Sequence, residues 1–546
     1  MVEKVDRISG LPPFVIHHIM SYLSSKEVGQ ISTLSKGWNQ LRISFPIFDF
    51  DQTDFLTEDE SDQITSMFEE RRLALRERLK EFMEYIDASL LRFCELEFCM
   101  RKFRLFISIL DVEESAPYID KWIGLATEKE VKVFDLEFLT DSDTPYTLPQ
   151  SIFYAKSVTV LNIVRCKLEN VSDIVRFNYL RKLSLDKVFI NEEMVQKLSG
   201  ESPLLEEMFL SECWGFKRLC VSKALKLKIM SIGSDELESV EVVAPNLQEL
   251  VLEFSEEIMP RVIDVFECTQ LKKLKFMGIG LTDLEFHHFI SSFPLLEDLI
   301  FAYCYALERI TISSNQLKKI RVSSCVNMKA LNLDTPNLLS FTYEYSPIPT
   351  SCINALCPWQ VKCLSKLMFD IHWCLKLREF LGVSNQIETL RIYARPTVSS
   401  FKLEECRKSF TSRPCYVETL EFYTNMPPSE YRMLLDGLLW ICYPRTLFLQ
   451  SYSCRAQYKL FESFYKELKN RDVSCCNSHD IKCWRHYLKD IKVVGFMGLK
   501  DGKLIDADSL MKWLSTDNLS DLWSILPFGV VRFQLDWCFP ESTMKA

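Results

Sequence analysis

Residues 191–219 read NEEMVQKLSGESPLLEEMFLSECWGFKRL, and residues 282–310 read TDLEFHHFISSFPLLEDLIFAYCYALERI. The two stretches align without a gap, ninety-one residues apart. Each holds a short amphipathic helix, a Ser-x-Pro-Leu-Leu-Glu run or its variant, an apolar strand and a cysteine. Unrelated amphipathic helices would not keep register over such a span, so the chain repeats itself.

Working outward, the shared element is apolar–x–x–apolar–x–apolar. It recurs at 131–136, 158–163, 180–185, 205–210, 227–232, 247–252, 271–276 and 296–301, then at 317–322, 338–343, 364–369, 387–392 and 417–422. Weaker copies sit at 100–105, 444–449 and 488–493. Successive starts are mostly 20–31 residues apart, the leucine-rich-repeat period with some long insertions. Three residues past the last apolar position of four copies lie Cys166, Cys213, Cys304 and Cys325. That is the Asn/Cys position of the template, where a small buried donor satisfies turn carbonyls.

Each copy is therefore expected to supply one short parallel strand and a return segment covering it. Leu183 and Leu185 point into the core and Ser184, between them, points to the concave face. Fourteen to sixteen such strands at about 4.8 Å spacing predict a curved floor roughly 60–75 Å long. The fold class is α/β: a small helical module followed by a leucine-rich-repeat horseshoe. The residues expected to face outward from the strands are Ser184, Phe209, Ser231, Lys275, Ile300, Arg321, Thr342, Arg391 and Glu421.

The N-terminal stretch RISGLPPFVIHHIMSYLSSKEVGQISTLSKGWNQL at 7–41 departs from the repeat. Pro12 and Pro13 suit a helix first turn. Ile16, Ile19, Met20 and Leu23 form one stripe. Ser24 and Glu27 form a capping box opening a second helix lined by Val28, Ile31 and Leu34. A third short helix carries Trp38 and Leu41. A cluster this small cannot complete its own core, so it wants a partner surface. The acidic segment 48–62, with seven acids and no base, reads as a linker. An amphipathic helix at about 62–92 follows, with Ile64, Phe68, Leu75, Leu79, Phe82, Ile86 and Leu90 on one face. The expected divisions are 5–50, 51–95 (acidic linker and capping helix), 96–500 (repeats) and 501–546 (C-terminal cap).

Composition narrows the function. The 546 residues are 47% hydrophobic with a formal charge of −10, much of it in the acidic segment. No basic field points to nucleic acid or an anionic membrane. The cluster RRLALRER at 71–78 is flanked by acids and reads as a solvated helix face. No apolar run reaches the roughly 18–20 residues of a membrane span, and MVEKVDRISG lacks the apolar core of a secretory signal. The expected compartment is the nucleus or cytoplasm, with the twenty cysteines as reduced thiols. The densest metal-like cluster, CCNSHDIKCWRH at 475–486, fits no common ligand spacing. GIGLTD at 278–283 reads as a turn after a repeat strand rather than a dinucleotide fingerprint. No catalytic motif stands out, so no metal, cofactor or active site is expected.

The N-terminal stretch resembles the F-box. Leu11-Pro12, Val15-Ile16, Ile19-Met20, Tyr22-Leu23, Lys26-Glu27, Ser32, Leu34-Ser35-Lys36 and Trp38 stand in that motif's order and spacing. The whole chain is similar to plant F-box/leucine-rich-repeat proteins of the FBD-like kind. DKWIGLATEKEVKVFDLEF (120–138) and CWRHYLKDIKVVGF (483–496) look like that family's repeats and C-terminal end. The resemblance implies a non-catalytic substrate adaptor of a Skp–cullin–F-box ubiquitin ligase. The F-box would dock on a Skp-type linker protein, and through it on a cullin, while the repeats hold an unknown protein substrate. The implied docking residues are Leu11, Pro12, Ile16, Ile19, Leu23, Val28, Leu34, Ser35 and Trp38. Pro13 replaces a frequent acid, Gly29 sits inside the second helix, and Gly37 replaces the usual Arg. Two other readings share this architecture: a small-molecule co-receptor, roofed by insertions after Tyr343 (SPIPTSCINALCPWQ) and after Ile392, and a scaffold that directs no degradation.

Overall fold

The computed structural model describes residues 11–23, 25–55, 69–109, 111–140, 145–169, 177–222, 224–254, 260–354, 357–365, 371–382, 387–394, 414–424, 426–451, 454–469, 473, 482–495 and 531–538. The chain divides into two compact units, Met1–Lys273 and Leu274–Ala546.

The first unit begins with three short helices, Pro13–Met20 (α1), Ser25–Ser32 (α2) and Lys36–Ile43 (α3). Pro13 opens α1, where its missing N–H costs nothing. Ser35 caps α3, its side chain accepting the Trp38 N–H at 3.2 Å. Gly29 stays within α2, and a Cβ there would touch nothing within 4 Å. The expected Ser24 cap lies outside the described residues.

The supposed acidic linker starts as structure instead. Ile47–Asp51 is a strand paired in parallel with Lys102–Ile109. Arg104 holds both of its acids, Asp49 at 2.7 Å and Asp51 at 3.1 Å. The buried Gln52 accepts the Ser108 N–H at 2.6 Å. Alternating Phe and Asp, read as acidity, is a strand pattern with one face buried. The amphipathic helix is Glu69–Cys94, and its Leu79, Phe82, Ile86 and Leu90 are buried as expected. Ile64, Phe68 and the Leu75 side chain lie outside the described residues.

Parallel strands then follow one per repeat. In the first unit Lys102–Ile109, Val133–Thr140, Val160–Val164, Lys182–Asp186, Glu207–Ser211, Ile229–Gly233 and Glu249–Glu253 pair in sequence order. In the second, Asp298–Ala302, Lys319–Ser323, Ser340–Glu344, Trp359–Ser365, Ile387–Ala394, Cys415–Thr424 and Cys442–Gln450 do the same. The apolar template positions on these strands are buried, Leu183 and Leu185 among them, each contributing roughly 1.5–3 kcal/mol. Smaller parallel sheets form on the return side, Arg218–Val221 with Ser239–Val242 and Val262–Asp264, and Arg309–Ser313 with Ala330–Asp334 and Thr350–Asn354. The four template cysteines are buried, and Cys213 donates its thiol to Leu185 O at 3.4 Å.

A further regularity sits at the ends of six repeat strands. Arg165, Lys187, Tyr303, Ser324 and Tyr345 adopt φ of 52–56°, and Gly278 has φ 68°. Each donates its N–H to a carbonyl of the next repeat strand, as Lys187 does to Ser211 O at 2.9 Å and Tyr303 to Ser323 O at 3.0 Å. A left-handed residue turns the chain off the sheet while keeping the ladder bonded, a conformation that only glycine adopts freely. At Gly278 it confirms that GIGLTD is a turn. The following helix opens with a full capping box from Thr282 and Glu285.

Two repeat expectations are corrected. The copy at 364–369 is displaced: the strand there is Trp359–Ser365, with Trp359, Val361 and Cys363 inward. The copy at 488–493 is not a parallel repeat. Leu488–Gly495 runs antiparallel to Val531–Trp537, which also runs antiparallel to Cys442–Gln450. A strand from nearer the C-terminus thus pairs along the edge of the second unit's parallel ladder, with the Trp537 indole N–H also reaching Pro444 O at 2.7 Å.

Candidate functional site

No metal-like group of three or more His, Cys, Asp or Glu occurs among the described residues. Most of the 475–486 cluster lies outside them. Its Cys483 and Trp484 are buried, and Arg485 meets Asp436 at 2.8 Å, which is a structural use. No helix is long and apolar enough to cross a membrane among the described residues. Two surfaces remain: the helical module and the outward face of the strands.

In the module, Ile16, Met20, Val28 and Phe45 form a buried core, with Leu23, Ile31, Trp38, Leu41 and Ile47 packed against it. His17 Nε2 lies 2.9 Å from Leu41 O, tying α1 to α3. The expected docking set therefore splits. Ile16 (1% exposed) and Val28 (6%) belong to the chain's own core, which corrects their assignment as contacts. Leu23 and Trp38 are half-buried on that core, and Ser35 acts as a cap with its side chain exposed. Leu11, Pro12, Ile19 and Leu34 are exposed. Beside them Phe14 and Tyr22, absent from the expected set, are 73% and 77% exposed. Helical period alone could not assign these two: α1 is apolar on both sides, and the stripe joined core-facing Ile16 and Met20 to exposed Ile19 while omitting Phe14 and Tyr22.

The strand floor is an ordered row in each unit. In the first, Asp49, Arg104, Asp135, Asn162, Ser184, Phe209 and Ser231 stand in register across seven strands. Arg104 is the hub, because burial opposes its charge less than Asp49, Asp51 and Asp135 favour it. Asn162 Nδ2 donates to Asp135 at 2.6 Å. Ser184, Phe209 and Ser231 are half-buried, and Lys182 Nζ sits 4.8 Å from the Phe209 ring centre. Lys275, already in the second unit, is half-buried on the Lys273–Met277 strand.

In the second unit Ile300, Arg321 and Thr342 are in register, with Ile300 half-buried, Arg321 exposed and Thr342 buried at 5%. Thr342 is thus corrected as a surface contact: Gln360 aligns beside it and the row continues into Thr389. Arg391 and Glu421 lie in the adjoining row with Glu344 and Lys362. The displaced strand at 359–365 is what shifts them. Arg391 Nε donates to Glu421 at 2.5 Å, and Glu421 in turn raises the guanidinium's proton affinity. Tyr423 donates to the same carboxylate at 3.1 Å.

A run of aromatic rings, which the repeat template did not flag, crosses this face. Tyr345–Tyr393, Tyr393–Tyr423 and Tyr423–Phe448 have ring centres 5.9, 4.6 and 6.1 Å apart. The available signal was a Tyr directly after the last core residue in two copies, Ile392-Tyr393 and Phe422-Tyr423. In the stretch after Tyr343, Thr350–Asn354 is a return-side strand and Trp359 begins the next repeat strand. The insertion after Ile392 lies largely outside the described residues.

The chain matches the F-box domain model over residues 8–41 and the At1g61320/AtMIF1 LRR domain model over 97–262 and 252–411. Among relatives, an F-box/LRR-repeat protein of Arabidopsis thaliana is 25% identical over 419 residues, covering 74% of this chain and 79% of that protein. F-box/LRR-repeat protein At3g59200 of the same plant is 30% identical over 269 residues, 46% of each chain. F-box/LRR-repeat protein At4g14096, also from Arabidopsis thaliana, is 25% identical and covers 63% of this chain and 68% of its own length. The domain pairing is that of a substrate adaptor, and no enzyme family is among these matches. With a three-helix module exposing apolar residues and parallel repeat strands behind it, the chain belongs to the plant F-box/leucine-rich-repeat family.

Proposed function

We propose that this protein is the substrate-recognition adaptor of a Skp–cullin–F-box ubiquitin ligase, working in the nucleus or cytoplasm. The observation that carries the reading is the exposure of Leu11, Phe14, Ile19, Tyr22 and Leu34 on a module whose buried core is only four residues. Apolar side chains gathered on so small a cluster gain about 25 cal/mol per Å2 when a partner covers them. The Skp-type linker is the partner the F-box match favours. The repeat strands of each unit then offer a substrate an ordered face, with charge held by Arg104 in the first unit and by the Arg391–Glu421 pair in the second.

The chain performs no chemistry in this scheme. It contributes proximity and orientation, bringing a substrate lysine near the conjugating enzyme. Co-purification tests the reading with wild type and a Leu11→Ala/Pro12→Ala variant. Linker and cullin subunits should accompany wild type alone; their absence from wild type, or equal recovery with both, rejects it.

A further inference from the structure

A cavity of about 220 Å3 lies between the N-terminal helices and the first strands of the same unit. Its apolar wall is made by Met20 and Leu23 of α1 and its following turn, with Val28 and Phe45. Its remaining wall is cationic: Arg42, Arg92 and Lys102 all line it. Asp49 is the one acid lining it among the described residues, and Arg104 already engages that carboxylate at 2.7 Å. Arg42 donates from Nη2 to Tyr85 Oη at 3.0 Å and has no carboxylate partner among the described residues. Arg92 has no hydrogen-bond or ion-pair partner among them either. Lys102 reaches Asp135 only at 3.7 Å.

Two guanidiniums without a carboxylate partner among the described residues, beside Lys102 and with the one lining acid already engaged, make a net positive site. Guanidinium groups left with free N–H donors pair with carboxylates through charge-assisted, often bidentate hydrogen bonds. We propose that this cavity binds a small amphipathic monocarboxylate, with its anionic end on Arg42 and Arg92 and its apolar end against Met20, Leu23 and Phe45. The size suits about ten non-hydrogen atoms, below the usual range of drug-sized pockets. A molecule there touches α1, the helix that carries exposed Phe14 and Ile19, and the Ile47–Asp51 strand at once. Its occupancy fastens the docking helices to the first repeat.

The test is ligand-observed NMR and thermal shift on the full chain. The probes are benzoate and hexanoate, with benzylamine and benzyl alcohol as matched cation and neutral controls. Both carboxylates should bind in the millimolar range and raise the melting temperature, while the amine and alcohol do neither. An Arg42→Gln/Arg92→Gln variant should weaken benzoate by about tenfold or more, whereas Arg76→Gln, outside the cavity, should leave it unchanged. Circular dichroism of the unliganded variants separates lost binding from lost folding. Equal binding of amine and carboxylate, undiminished benzoate binding by a folded double variant, or no carboxylate binding at 20 mM overturns the proposal.

Discussion

Asp283 accepts the backbone N–H of Arg309 on Oδ2 at 3.0 Å, and that of Glu308 on Oδ1 at 2.9 Å. Ninety-one residues earlier Glu192 does the same for Lys217 and Arg218, at 3.3 and 3.2 Å. In both copies an acid in the first helical turn pins the start of the return strand, while also lying at the favourable end of the helix dipole. Asp283→Ala should therefore cost about 1–2 kcal/mol, read as a lower denaturant midpoint. Asp283→Glu should recover most of it, because Glu makes this contact at 192. A change below about 0.3 kcal/mol for the alanine variant would show that solvent replaces the bond.

That pairing was legible as sequence similarity, and so were the inward Leu, Ile and Phe positions, because burial on one face of a strand writes a strict spacing. The left-handed turn residues were hidden. Arg165, Lys187, Tyr303 and Ser324 share a backbone geometry but no side-chain chemistry, and among the described residues glycine occupies that place only at 278. The displaced strand at 359–365 was hidden for a related reason: Leu364, Leu367 and Phe369 also satisfy the template, and pattern alone cannot choose between overlapping frames. On the helical module, periodicity identified the apolar residues but not their direction, since Ile16 faces the chain's own core while Phe14 faces outward.

The turns can be tested through Ser324, whose φ is 54° and whose N–H bonds Glu344 O at 2.9 Å. A β-branched residue is strongly disfavoured there. Ser324→Val should destabilise the second unit by about 2 kcal/mol, while Ser324→Gly should stay within about 1 kcal/mol of wild type. Paired urea titrations measure both. Equal midpoints for the valine and glycine variants would mean that the left-handed turn does not form.

Thiol reactivity follows from burial and from one hydrogen bond. Burial pushes the Cys213 and Cys363 thiols up to about 12, so at pH 7 little thiolate exists and maleimide cannot reach it. Both should label only after denaturation. Cys99 is exposed, yet its thiol donates to Glu130 at 3.3 Å, and that bond is the main reason its proton is held above the ordinary range. Because only thiolate reacts, labelling of Cys99 should quicken about tenfold per pH unit between 7 and 9. Glu130→Gln removes the charged acceptor, lowers the thiol's proton affinity, and should speed labelling at pH 7. Peptide-resolved mass spectrometry follows each site, and an unaccelerated Glu130→Gln protein would argue against that bond.

The split between core and surface in the helical module makes stability and docking separable. Ile16 is 1% exposed within a four-residue core, so Ile16→Ala should lower stability by about 2–4 kcal/mol. Leu34 is 69% exposed, so Leu34→Ala should leave the melting temperature within about a degree of wild type. If this face meets the Skp-type linker, the order reverses in a binding assay. Leu34→Ala together with Phe14→Ala should then weaken linker capture at least tenfold in a fully folded protein. Gly29→Ala supplies the converse control: it adds helix propensity in open space, worth up to about 1 kcal/mol, without touching the exposed residues. It should raise stability and leave capture unchanged. Should Phe14→Ala/Leu34→Ala bind as wild type does while Ile16→Ala merely unfolds, the exposed apolar face has some other use and the docking assignment falls.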